Sequence, residues 1–415
     1  MSSPADPPGA AAPGTLATPT DAVQPAGPAP EPAVPPGFGG GRPVILQVIP
    51  ALVTGGAERG CVDVAVAIRK AGGTALVAST GGPMTRELDR HGIRHITLPL
   101  DSKNPLTIRR NATRLTELIA AEGVDIIHAR SRAPAWSAHW AAKRAGIPFV
   151  TTFHAPYNFK GGLKRWYNSV MAKGDRVIAV SRYVEEHVAA NYGVGPDRLR
   201  LIHRGVDVGL LAPERVTQSR LIQLARSWRI PEDKRVIMLP GRLTRWKGQG
   251  VLIEAMARLG RKDVLALLVG ADQGRGGYRA ELEARAKALG LEAQVAIVGH
   301  CNDMAAAYMI ADVVVSASTE PEAFGRVIVE AQAMGRPVIV SAIGAVKETV
   351  RDGLTGLVVP PDDADALARA IGTILALDTE QRASIGRDGM GFVRANFTRE
   401  RMCAETLAVY AELLG

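Results

Sequence analysis

Residues 312–334, "DVVVSASTEPEAFGRVIVEAQAM", contain a short apolar run, a polar loop and a longer stretch with helical spacing. The run "DVVVSAS" is apolar without alternation, which is typical of a strand that is covered on both faces of a parallel sheet. The polar loop covers residues 319–324, and a helix is expected from Gly325 to Met334. Another apolar run begins at Pro337, so this stretch predicts a strand–helix–strand unit of an α/β fold.

The same alternation of apolar runs and helical stretches extends over most of the chain. Helical periodicity occurs at 58–71, 106–122 and 182–191, among other places, and the alternation pauses around 206–232. Two successive halves, each of roughly 170–190 residues, predict two Rossmann-like, doubly wound parallel-sheet domains that face each other across a cleft. A TIM barrel would need eight strands in one continuous ring. About thirteen runs predict strands here: "VILQVIPAL", "TALVAST", "RHITLPL", "DIIHAR", "PFVTTFH", "RVIAVS", "LRLIHRG", "VIMLPGRL", "LALLVGAD", "QVAIVGH", "DVVVSAS", "RPVIVSAI" and "TGLVVPP".

The length and the distribution of proline predict the domain organisation. A chain of 415 residues is long enough for two domains with separate cores. Residues 1–41 contain 11 of the 27 prolines, and such a composition buries too little apolar surface to fold, so a disordered tail is predicted there. An N-terminal domain is predicted at 42–206 and a C-terminal domain at 207–395. The helix at 396–415 is expected to return to the first domain.

The folded part of the chain is more basic than the whole. The net charge is +9, and the tail holds three acidic residues without Lys or Arg, so residues 42–415 carry about +12. Such a balance suggests an anionic partner: nucleic acid, a phosphorylated small molecule or an acidic membrane surface. Charge does not choose among these, and no nucleic-acid-binding motif is found.

Cysteine usage and hydropathy indicate the compartment. Cys61, Cys301 and Cys403 are odd in number and far apart, so neither a disulfide framework nor a zinc site is expected. No apolar run approaches the roughly 18–20 residues that span a bilayer. The run "PVILQVIPALV" (43–53) is interpreted as a first buried strand rather than a signal peptide. The predicted location is the cytoplasm, including the inner face of its membrane.

Ligands of doubly wound sheets bind beyond the carboxyl ends of the strands, so the residues that follow each predicted strand are candidates. Gly55 and Gly56 follow the first strand and open a helix, whose N–H groups attract phosphate, although a simple tight turn is the alternative. His154 follows the fifth strand, and a hydrogen-bonded loop histidine is its alternative. Arg242 and Lys247 follow the eighth strand and together could clamp a diphosphate; an ordinary surface pair is the alternative.

Glu322 and Glu330 are eight residues apart in the stretch quoted first. On one continuous helix this spacing separates them by about 12 Å. Retaining glycosidases need roughly 5–5.5 Å between their carboxylates and inverting ones roughly 6.5–9.5 Å. The spacing therefore disfavours an acid/base pair and favours two carboxylates that accept hydrogen bonds from the hydroxyls of one extended ligand. A sugar joined through a diphosphate to a ribose is such a ligand.

At this point the sequence resembles a known family, the family 4 retaining glycosyltransferases, which have the GT-B fold. "EAFGRVIVE" (322–330) matches the E-x7-E motif of that family. The resemblance extends in family order over roughly residues 44–400 and includes "GGAER", "FHAPY", "AVSRYV", "HRGVD", "GRLTRWKG" and "DGLTGLVVP".

The resemblance implies roles for the acidic motif. Glu330 would accept hydrogen bonds from the ribose of a nucleotide donor, and Glu322 would hold hydroxyls of the transferred sugar. The backbone N–H groups of Phe324 and Gly325 would help at the phosphates. Glu320 is a competing carboxylate two residues earlier, and the family spacing favours Glu322.

The resemblance also implies the chemistry of transfer. Arg242 and Lys247 would stabilise the departing diphosphate, Gly55 and Gly56 would approach it, and His154 would lie beside the anomeric carbon or the sugar 6-hydroxyl. Transfer by a hexosyltransferase of this family occurs with retention and needs neither a divalent metal nor a cofactor. "DDAD" (362–365) resembles a metal-binding motif, but it precedes an Ala-rich helix and is interpreted as an N-terminal cap.

Two basic segments are candidates for contact with the acceptor or the membrane. Arg130 and Arg132 in "HARSRAPAW" (128–136) would meet an anionic acceptor, as in similar bacterial enzymes of lipopolysaccharide or envelope glycan synthesis. The implied donor is a UDP-sugar or GDP-mannose, and the implied acceptor is a glycan or lipid-linked molecule. Residues 158–176 either dock on an anionic membrane or form a solvated helix face with aromatics packed inward. Their basic and aromatic residues include Lys160, Lys164, Arg165, Trp166, Tyr167 and Lys173.

Other functions remain as alternatives. A sugar-nucleotide epimerase of the same fold would also bind a nucleotide diphosphate, and a non-catalytic sugar-nucleotide-binding protein would keep only the binding residues. A phosphorylase would need a lysine-bound pyridoxal phosphate. A dinucleotide dehydrogenase is disfavoured because no GxGxxG follows any predicted strand.

Overall fold

The computed structural model describes residue 38 and residues 41–53, 55–157, 161–272 and 276–415. Apart from residues 38 and 41, the predicted tail therefore lies outside the described residues. Lys160 also lies outside them. The described chain forms two compact units. The N-terminal unit comprises the described residues up to Leu211 together with Glu322–Val329 and Val393–Gly415, and the C-terminal unit comprises Ala212–Pro321 and Glu330–Phe392. The domain boundaries predicted above stay predictions.

The N-terminal unit is built on a parallel sheet of seven strands in the order β3-β2-β1-β4-β5-β6-β7. β1 lies between β2, where Ile45 pairs with Ala75, and β4, where Ile45 pairs with Ile126. The strands are β1 (Val44–Val48), β2 (Thr74–Ser79), β3 (Arg94–Thr97), β4 (Ile126–Ala129), β5 (Phe149–Phe153), β6 (Arg176–Ala179) and β7 (Leu199–Leu201).

The C-terminal unit contains a parallel sheet of six strands in the order β10-β9-β8-β11-β12-β13. β8 lies between β9, where Ile237 pairs with Ala266, and β11, where Ile237 pairs with Val313. The strands are β8 (Arg235–Pro240), β9 (Val264–Val269), β10 (Val295–Val298), β11 (Val313–Ser316), β12 (Val338–Ser341) and β13 (Gly356–Val359).

Helices connect the strands, and their ends follow local capping rules. For example, the helix at Pro105–Glu122 begins after Asn104, whose side chain accepts a hydrogen bond from Leu106 N, and ends at Gly123 in the left-handed conformation. The helices are α1 (Gly56–Lys70), α2 (Thr85–Arg90), α3 (Pro105–Glu122), α4 (Arg132–Ala145), α5 (Gly162–Ser169), α6 (Arg182–Tyr192), α7 (Gln218–Ser227), α8 (Gln249–Leu259), α9 (Gly276–Ala288), α10 (Met304–Ile310), α11 (Arg326–Ala333), α12 (Val346–Thr349), α13 (Ala364–Ala376), α14 (Thr379–Asn396) and α15 (Arg399–Leu414), with short 3-10 helices at Val170–Lys173, Pro213–Arg215 and Arg245–Lys247.

The sheet of the N-terminal unit is apolar on both faces. Leu46 and Val48 of β1 belong to one buried cluster, while the intervening Ile45 belongs to another. Because successive side chains of a strand point to opposite faces, a strand covered by helices on both sides is buried along its length, and the one polar side chain of β1, Gln47, donates a hydrogen bond to the Cys61 carbonyl. This is the physical reason why "VILQV" shows no alternation.

The C-terminal helix α15 belongs to the N-terminal unit and packs against α1. Its Tyr410 is fully buried, and the hydroxyl lies 2.6 Å from Nδ1 of His128 in β4. Nε2 of the same imidazole lies 2.7 Å from Oγ1 of Thr152 in β5. Burial lowers the pKa of His128 well below its ordinary value, with further lowering by Arg130 and His154. These hydrogen bonds therefore link α15 to β4 and β5, the strands that precede the candidate residues Arg130 and His154.

The predicted α/β class and all thirteen predicted strands are confirmed. One prediction was wrong in part, because the pause at 206–232 contains α7. Thr217 caps this helix, since its hydroxyl accepts a hydrogen bond from Arg220 N, but no residue of α7 is buried. Leu221, Leu224 and Ala225 nevertheless recur at helical spacing and are partly buried, so the sequence pattern is compatible with this helix.

Cys61, Cys301 and Cys403 are free and buried. Burial raises the pKa of the Cys61 thiol to about 11, so this sulfur is protonated and packs as a small apolar group. In the part of the chain that the structure describes, no helix has the length and apolar character needed to cross a bilayer.

Candidate active site

The strand orders place the candidate residues at the two switch points of the sheets. In the N-terminal unit the order reverses between β1 and β4, and in the C-terminal unit between β8 and β11. Ligands of such sheets bind at the carboxyl ends of the strands that flank the reversal. Gly55 and Gly56 follow β1, and Arg130 and Arg132 follow β4. Arg242 follows β8, two residues beyond the end of that strand.

The two predicted cations of the C-terminal unit lie on the short loop after β8. Arg242 is exposed and Lys247 is partly buried. The Lys247 ammonium lies 4.4 Å from the centre of the Trp246 ring, a cation–π distance. The Arg242 carbonyl accepts a hydrogen bond from Nε2 of the buried Gln249 at 2.9 Å. The backbone of this loop is thus anchored to the first turn of α8.

The loop after β8 is in direct backbone contact with the loop after β11. Thr319 N donates a hydrogen bond to the Trp246 carbonyl at 2.8 Å. Gly248 has a φ of +74°, and a Cβ built on it would lie 1.8 Å from the Ala317 carbonyl oxygen. Only glycine fits this position, because a side chain would require both the left-handed conformation and the space of a backbone oxygen.

Glu330 lies on the second turn of α11 and is held by a tyrosine of α10. The Tyr308 hydroxyl donates a hydrogen bond to Oε2 of Glu330 at 2.8 Å. Tyr308 is fully buried, and a buried phenol needs a polar partner. Tyr308 has no assigned role in the sequence, where it appears as one tyrosine within the apolar stretch "MAAAYMI".

The loop that precedes α11 belongs to the N-terminal unit from Glu322 onward. Glu322 is 8% exposed, whereas Glu320 is exposed. The buried Phe324 ring lies 6.2 Å from the His203 ring and 5.5 Å from the Phe397 ring. Gly325 has a φ of +80°, which favours glycine before the helix, and α11 begins at Arg326 rather than at Gly325.

His154 follows β5 and is not a hydrogen-bonded loop histidine. Both ring nitrogens are buried and have no hydrogen-bond partner among the described residues. Burial lowers the pKa of His154 well below its ordinary value, and the nearby Arg204 and Arg130 lower it further. The imidazole is therefore neutral at pH 7, so it can accept or donate a hydrogen bond without carrying charge.

Arg130 and Arg132 differ in their surroundings. Arg130 is 4% exposed, its Nε donates to Oε1 of Gln47 at 2.8 Å, and its Nη2 is buried without a partner among the described residues. Arg132 begins α4, and its guanidinium lies 4.1 Å from the centre of the Tyr157 ring. Its Nη1 also donates to Oδ1 of Asn168 at 3.1 Å.

A further arginine at a strand end received no role in the sequence analysis, although it is part of the quoted "HRGVD". Arg204 follows β7, and its Nη2 donates to the His154 carbonyl at 3.3 Å. Burial lowers the pKa of Arg204 to about 10, with further lowering by Arg326. No local pattern in the sequence indicates that residue 204 approaches residue 154, and only the order of the strands reveals it.

The "DDAD" segment is a helix cap, as predicted. Oδ1 of Asp363 accepts a hydrogen bond from Ala366 N at 2.8 Å, at the start of α13. Within the described ranges, no group of three or more His, Cys, Asp or Glu side chains is placed to hold a metal ion.

Comparison with known proteins identifies the family. Residues 54–210 match the family "Glycosyltransferase Family 4", and residues 222–390 match "Glycosyl transferases group 1". A D-inositol 3-phosphate glycosyltransferase of Salinispora tropica is 31% identical over 71% of this chain, which spans 65% of that relative's length.

Two solved structures have the same fold. The crystal structure of a glycosyltransferase from Rickettsia africae has a TM-score of 0.84 and 39% identity, with 90% of this chain and 99% of that chain covered. The structure of Anabaena Alr3699/HepE in complex with UDP and glucose has a TM-score of 0.79 and 26% identity, with 90% and 100% covered. The chain therefore belongs to the group 1, family 4 glycosyltransferases, and its two Rossmann-like units have the GT-B fold.

Proposed function

We propose that this protein transfers a hexose from a UDP-sugar to an anionic glycan or lipid-linked acceptor, with retention of configuration and without a divalent metal. The observation that carries the proposal is the switch point of the C-terminal sheet. Two cations, Arg242 and Lys247, follow the flanking strand β8. Glu330 follows the other flanking strand, β11, and the buried Tyr308 donates a hydrogen bond to its carboxylate. The complex of the similar Anabaena protein with UDP and glucose supports UDP as the nucleotide.

The acidic residues hold the two ends of the donor. Glu330 accepts hydrogen bonds from the ribose hydroxyls, with its remaining carboxylate oxygen directed by Tyr308. Glu322 accepts hydrogen bonds from hydroxyls of the transferred sugar, and the N–H groups of Phe324 and Gly325 bind phosphate oxygens. The burial of Glu322 supports this choice over Glu320, because a carboxylate shielded from water makes stronger hydrogen bonds.

The cations stabilise the leaving group. The bond between the anomeric carbon and the β-phosphate oxygen breaks, and a bond to the acceptor oxygen forms on the same face of the sugar. The acceptor proton passes to the departing phosphate. Arg242 and Lys247 meet the negative charge that develops there, in the manner of preorganised electrostatic catalysis, and Gly55 and Gly56 offer backbone N–H groups to it. The neutral His154 hydrogen-bonds the sugar near its reacting carbon.

The acceptor is proposed to carry negative charge. Arg130 keeps a buried Nη2 without a partner among the described residues, and Arg132 begins a helix at the same switch point. The name of the Salinispora relative, a D-inositol 3-phosphate glycosyltransferase, supports a phosphorylated acceptor. The role in lipopolysaccharide or envelope polysaccharide synthesis stays a prediction, which an acceptor panel of phosphorylated cyclitols and core oligosaccharides would test.

Donor binding provides the first test. Purified protein is titrated with UDP-, GDP- and ADP-sugars in the presence of EDTA, and slow hydrolysis of each donor is followed. We expect one UDP-sugar to bind and to be hydrolysed without metal. When an acceptor is added, the transfer product should keep the α- or β-configuration that the sugar has in the donor. Absence of binding by every donor would contradict the proposal, and a requirement for metal would contradict the proposed metal independence.

Replacement of Glu330 by alanine should weaken donor binding by roughly 10- to 150-fold, because a hydrogen bond to a charged group contributes about 1.5–3 kcal/mol. Tyr308→Phe removes only the hydroxyl that holds the carboxylate and should weaken binding by roughly 3- to 10-fold. Both constants are measured by isothermal titration calorimetry. The exposed Glu320→Ala is the matched control and should leave the affinity unchanged. Equal affinities for Glu330→Ala and the unmodified protein would reject this assignment.

The epimerase alternative is distinguished by its products. An epimerase changes the configuration of the sugar on the nucleotide without an acceptor, whereas the proposed transferase releases UDP. Chromatography of the nucleotide pool after incubation without acceptor therefore separates the two, and a new UDP-sugar isomer would favour the epimerase. A protein that binds the donor but never releases UDP would be the non-catalytic alternative.

We further propose that the helix predicted at 158–176 contacts an anionic membrane. In α5, Leu163 is 82% exposed and Trp166 is 56% exposed. The Trp166 ring stacks at 4.6 Å on Trp136, which contacts Trp140 in turn. Trp140 lines a cavity of about 720 Å³ together with Pro105, Arg109, Lys143 and Arg144. Apolar side chains are exposed here beside cations, and the described lining of this cavity contains no carboxylate. Both features support contact with an anionic lipid surface.

The double change Leu163→Ser with Trp166→Ala should lower binding to vesicles of phosphatidylglycerol by at least about 10-fold, because each apolar side chain contributes about 1.5–3 kcal/mol when buried. Co-sedimentation measures the bound fraction, and vesicles of phosphatidylcholine test the need for negative charge. Leu289→Ser, in the C-terminal unit, is the control for a change of one exposed leucine. The solvated-face alternative would be correct if the unmodified protein bound neither type of vesicle.

A further inference from the structure

Three buried polar side chains lie side by side in the middle of the N-terminal sheet. They are Gln47 of β1, His128 of β4 and Thr152 of β5, and each is at most 2% exposed. Gln47 pairs with His128 in the register of the two strands, and Nε2 of His128 lies 2.7 Å from the Thr152 hydroxyl. A buried polar group costs free energy unless it is hydrogen-bonded, so a polar row inside an apolar sheet needs a reason.

The candidate residue Arg130 lies next to this row. It comes two residues after His128, and alternate residues of an extended chain point to the same face. The Arg130 N–H donates to the Val48 carbonyl, so the pairing of the sheet extends to this residue. Nε of the guanidinium donates to Oε1 of Gln47, whose amide nitrogen donates in turn to the Cys61 carbonyl. The row therefore holds one side of the guanidinium.

Tyr410 of α15 completes the row from the far end of the chain. Its ring is fully buried, and its hydroxyl lies 2.6 Å from Nδ1 of His128. Burial raises the pKa of the Tyr410 phenol, and the nearby Arg130 guanidinium acts in the opposite direction. The phenol is therefore neutral at pH 7, and its oxygen lies close to the Arg130 charge.

Arg130 determines the direction of these hydrogen bonds. A guanidinium has donors but no acceptor, so its charge favours a phenol whose oxygen lone pairs face it and whose proton points away. The Tyr410 proton then points to Nδ1 of His128. Burial lowers the pKa of His128, so the imidazole is neutral, and a neutral imidazole that accepts at Nδ1 carries its hydrogen on Nε2. Nε2 therefore donates to the Thr152 hydroxyl.

We propose that Tyr410 is a positioning residue, which holds His128 and Arg130 so that one end of the guanidinium stays directed at an anionic acceptor. Gln47 and Tyr410 are neutral, so they orient the guanidinium without cancelling its charge. Nη2 of Arg130 is buried and has no partner among the described residues, and this is the end left for a ligand. That the ligand is the acceptor rests on the proposed function.

Transfer to D-inositol 3-phosphate, with the UDP-sugar saturating, provides the first test. Tyr410→Phe removes only the hydroxyl and should raise the KM for this acceptor about 5- to 10-fold, because Nδ1 of His128 loses its donor. The kcat and the affinity for UDP should not change. Arg130→Met should raise the same KM at least about 10-fold. When Arg130 is already replaced, Tyr410→Phe should add nothing, since it acts through the arginine.

Thr406→Val is the matched control. It removes another buried hydroxyl of α15, which donates to the Met402 carbonyl at 2.8 Å and takes no part in the row. The acceptor KM should not change in this variant. The proposal is overturned if Thr406→Val raises the KM as much as Tyr410→Phe, or if Tyr410→Phe acts equally with and without Arg130, since either result indicates a structural role. An unchanged KM in Tyr410→Phe would overturn it as well.

The direction of the hydrogen bonds is tested without a substrate. NMR of protein with isotope-labelled histidine distinguishes a protonated ring nitrogen from an unprotonated one, and the signals lost in His128→Gln identify this residue. We expect the hydrogen on Nε2, and we expect the Nδ1 signal to move in Tyr410→Phe but not in Thr406→Val. A hydrogen on Nδ1 would contradict the proposal, because the phenol would then turn its own proton toward Arg130.

Failure of the proposed function gives a different result. If the unmodified protein transfers sugar to no phosphorylated cyclitol, the proposed acceptor is wrong, and the dissociation constant for inorganic phosphate replaces KM in the same comparison of variants. Tyr410→Phe should then weaken phosphate binding only where Arg130 is present. If the unmodified protein binds neither probe, the inference fails too, since Arg130 is then not held for an anion.

Discussion

Replacement of Lys247 by methionine is expected to lower kcat by about 10²- to 10³-fold, the usual loss when one group that stabilises transition-state charge is removed. The ammonium lies beside the Trp246 ring on the loop after β8, and the charge on the β-phosphate is greatest when the sugar departs. KM should change much less than kcat, because the interaction strengthens in the transition state. Arg242→Met should have an effect of similar size.

Steady-state release of UDP at saturating donor measures this change. Lys262→Met, which removes an exposed lysine of the same unit, is the control and should keep the unmodified rate. Lys247→Arg keeps the charge but replaces a point charge by a planar fork, so partial recovery is expected. A variant in which only KM rises would mean that Lys247 binds the donor uniformly and does not stabilise the leaving group.

Gly248→Ala is expected to destabilise the C-terminal unit by more than about 3 kcal/mol. The left-handed conformation alone costs a non-glycine residue about 1–2 kcal/mol. The new Cβ would also collide with the Ala317 carbonyl oxygen, a backbone atom that cannot move without disturbing the loop after β11. Since this contact joins the loops at the switch point, donor binding should be lost together with stability.

Urea denaturation followed by tryptophan fluorescence measures the free energy of unfolding. Gly260→Ala is a close control, because Gly260 lies at the other end of α8 with a φ of +65° and no atom within 4 Å of its built Cβ. That variant should lose only about 1–2 kcal/mol. If the two variants were equally stable, the close approach of Gly248 to Ala317 would have no energetic consequence, and the contact between the loops would be weaker than the structure indicates.

Most of the thirteen strands could be predicted from the sequence because burial on both faces makes a strand a continuous apolar run, whereas the edge strand β3, "RHIT", is exposed at both ends. "VVVS" at 313–316 is typical, since all four residues are buried. The residue types at the strand ends were equally visible: Arg242, Lys247 and Glu330 stand after apolar runs, where parallel sheets bind ligands. The helix α7 was missed although Leu221, Leu224 and Ala225 have helical spacing.

The order of the strands could not be predicted from the sequence, because a parallel strand carries no local signal that names its neighbours. Tertiary packing sets β1 beside β4 and β8 beside β11, and these pairs place the switch points. The same packing brings Tyr308 to Glu330 and Arg204 to Gly56, contacts that join residues 22 and 148 positions apart. The sequence thus determined the fold class and the candidate residues at the strand ends. Which polar groups are buried together, and with what charge, follows only from the folded chain.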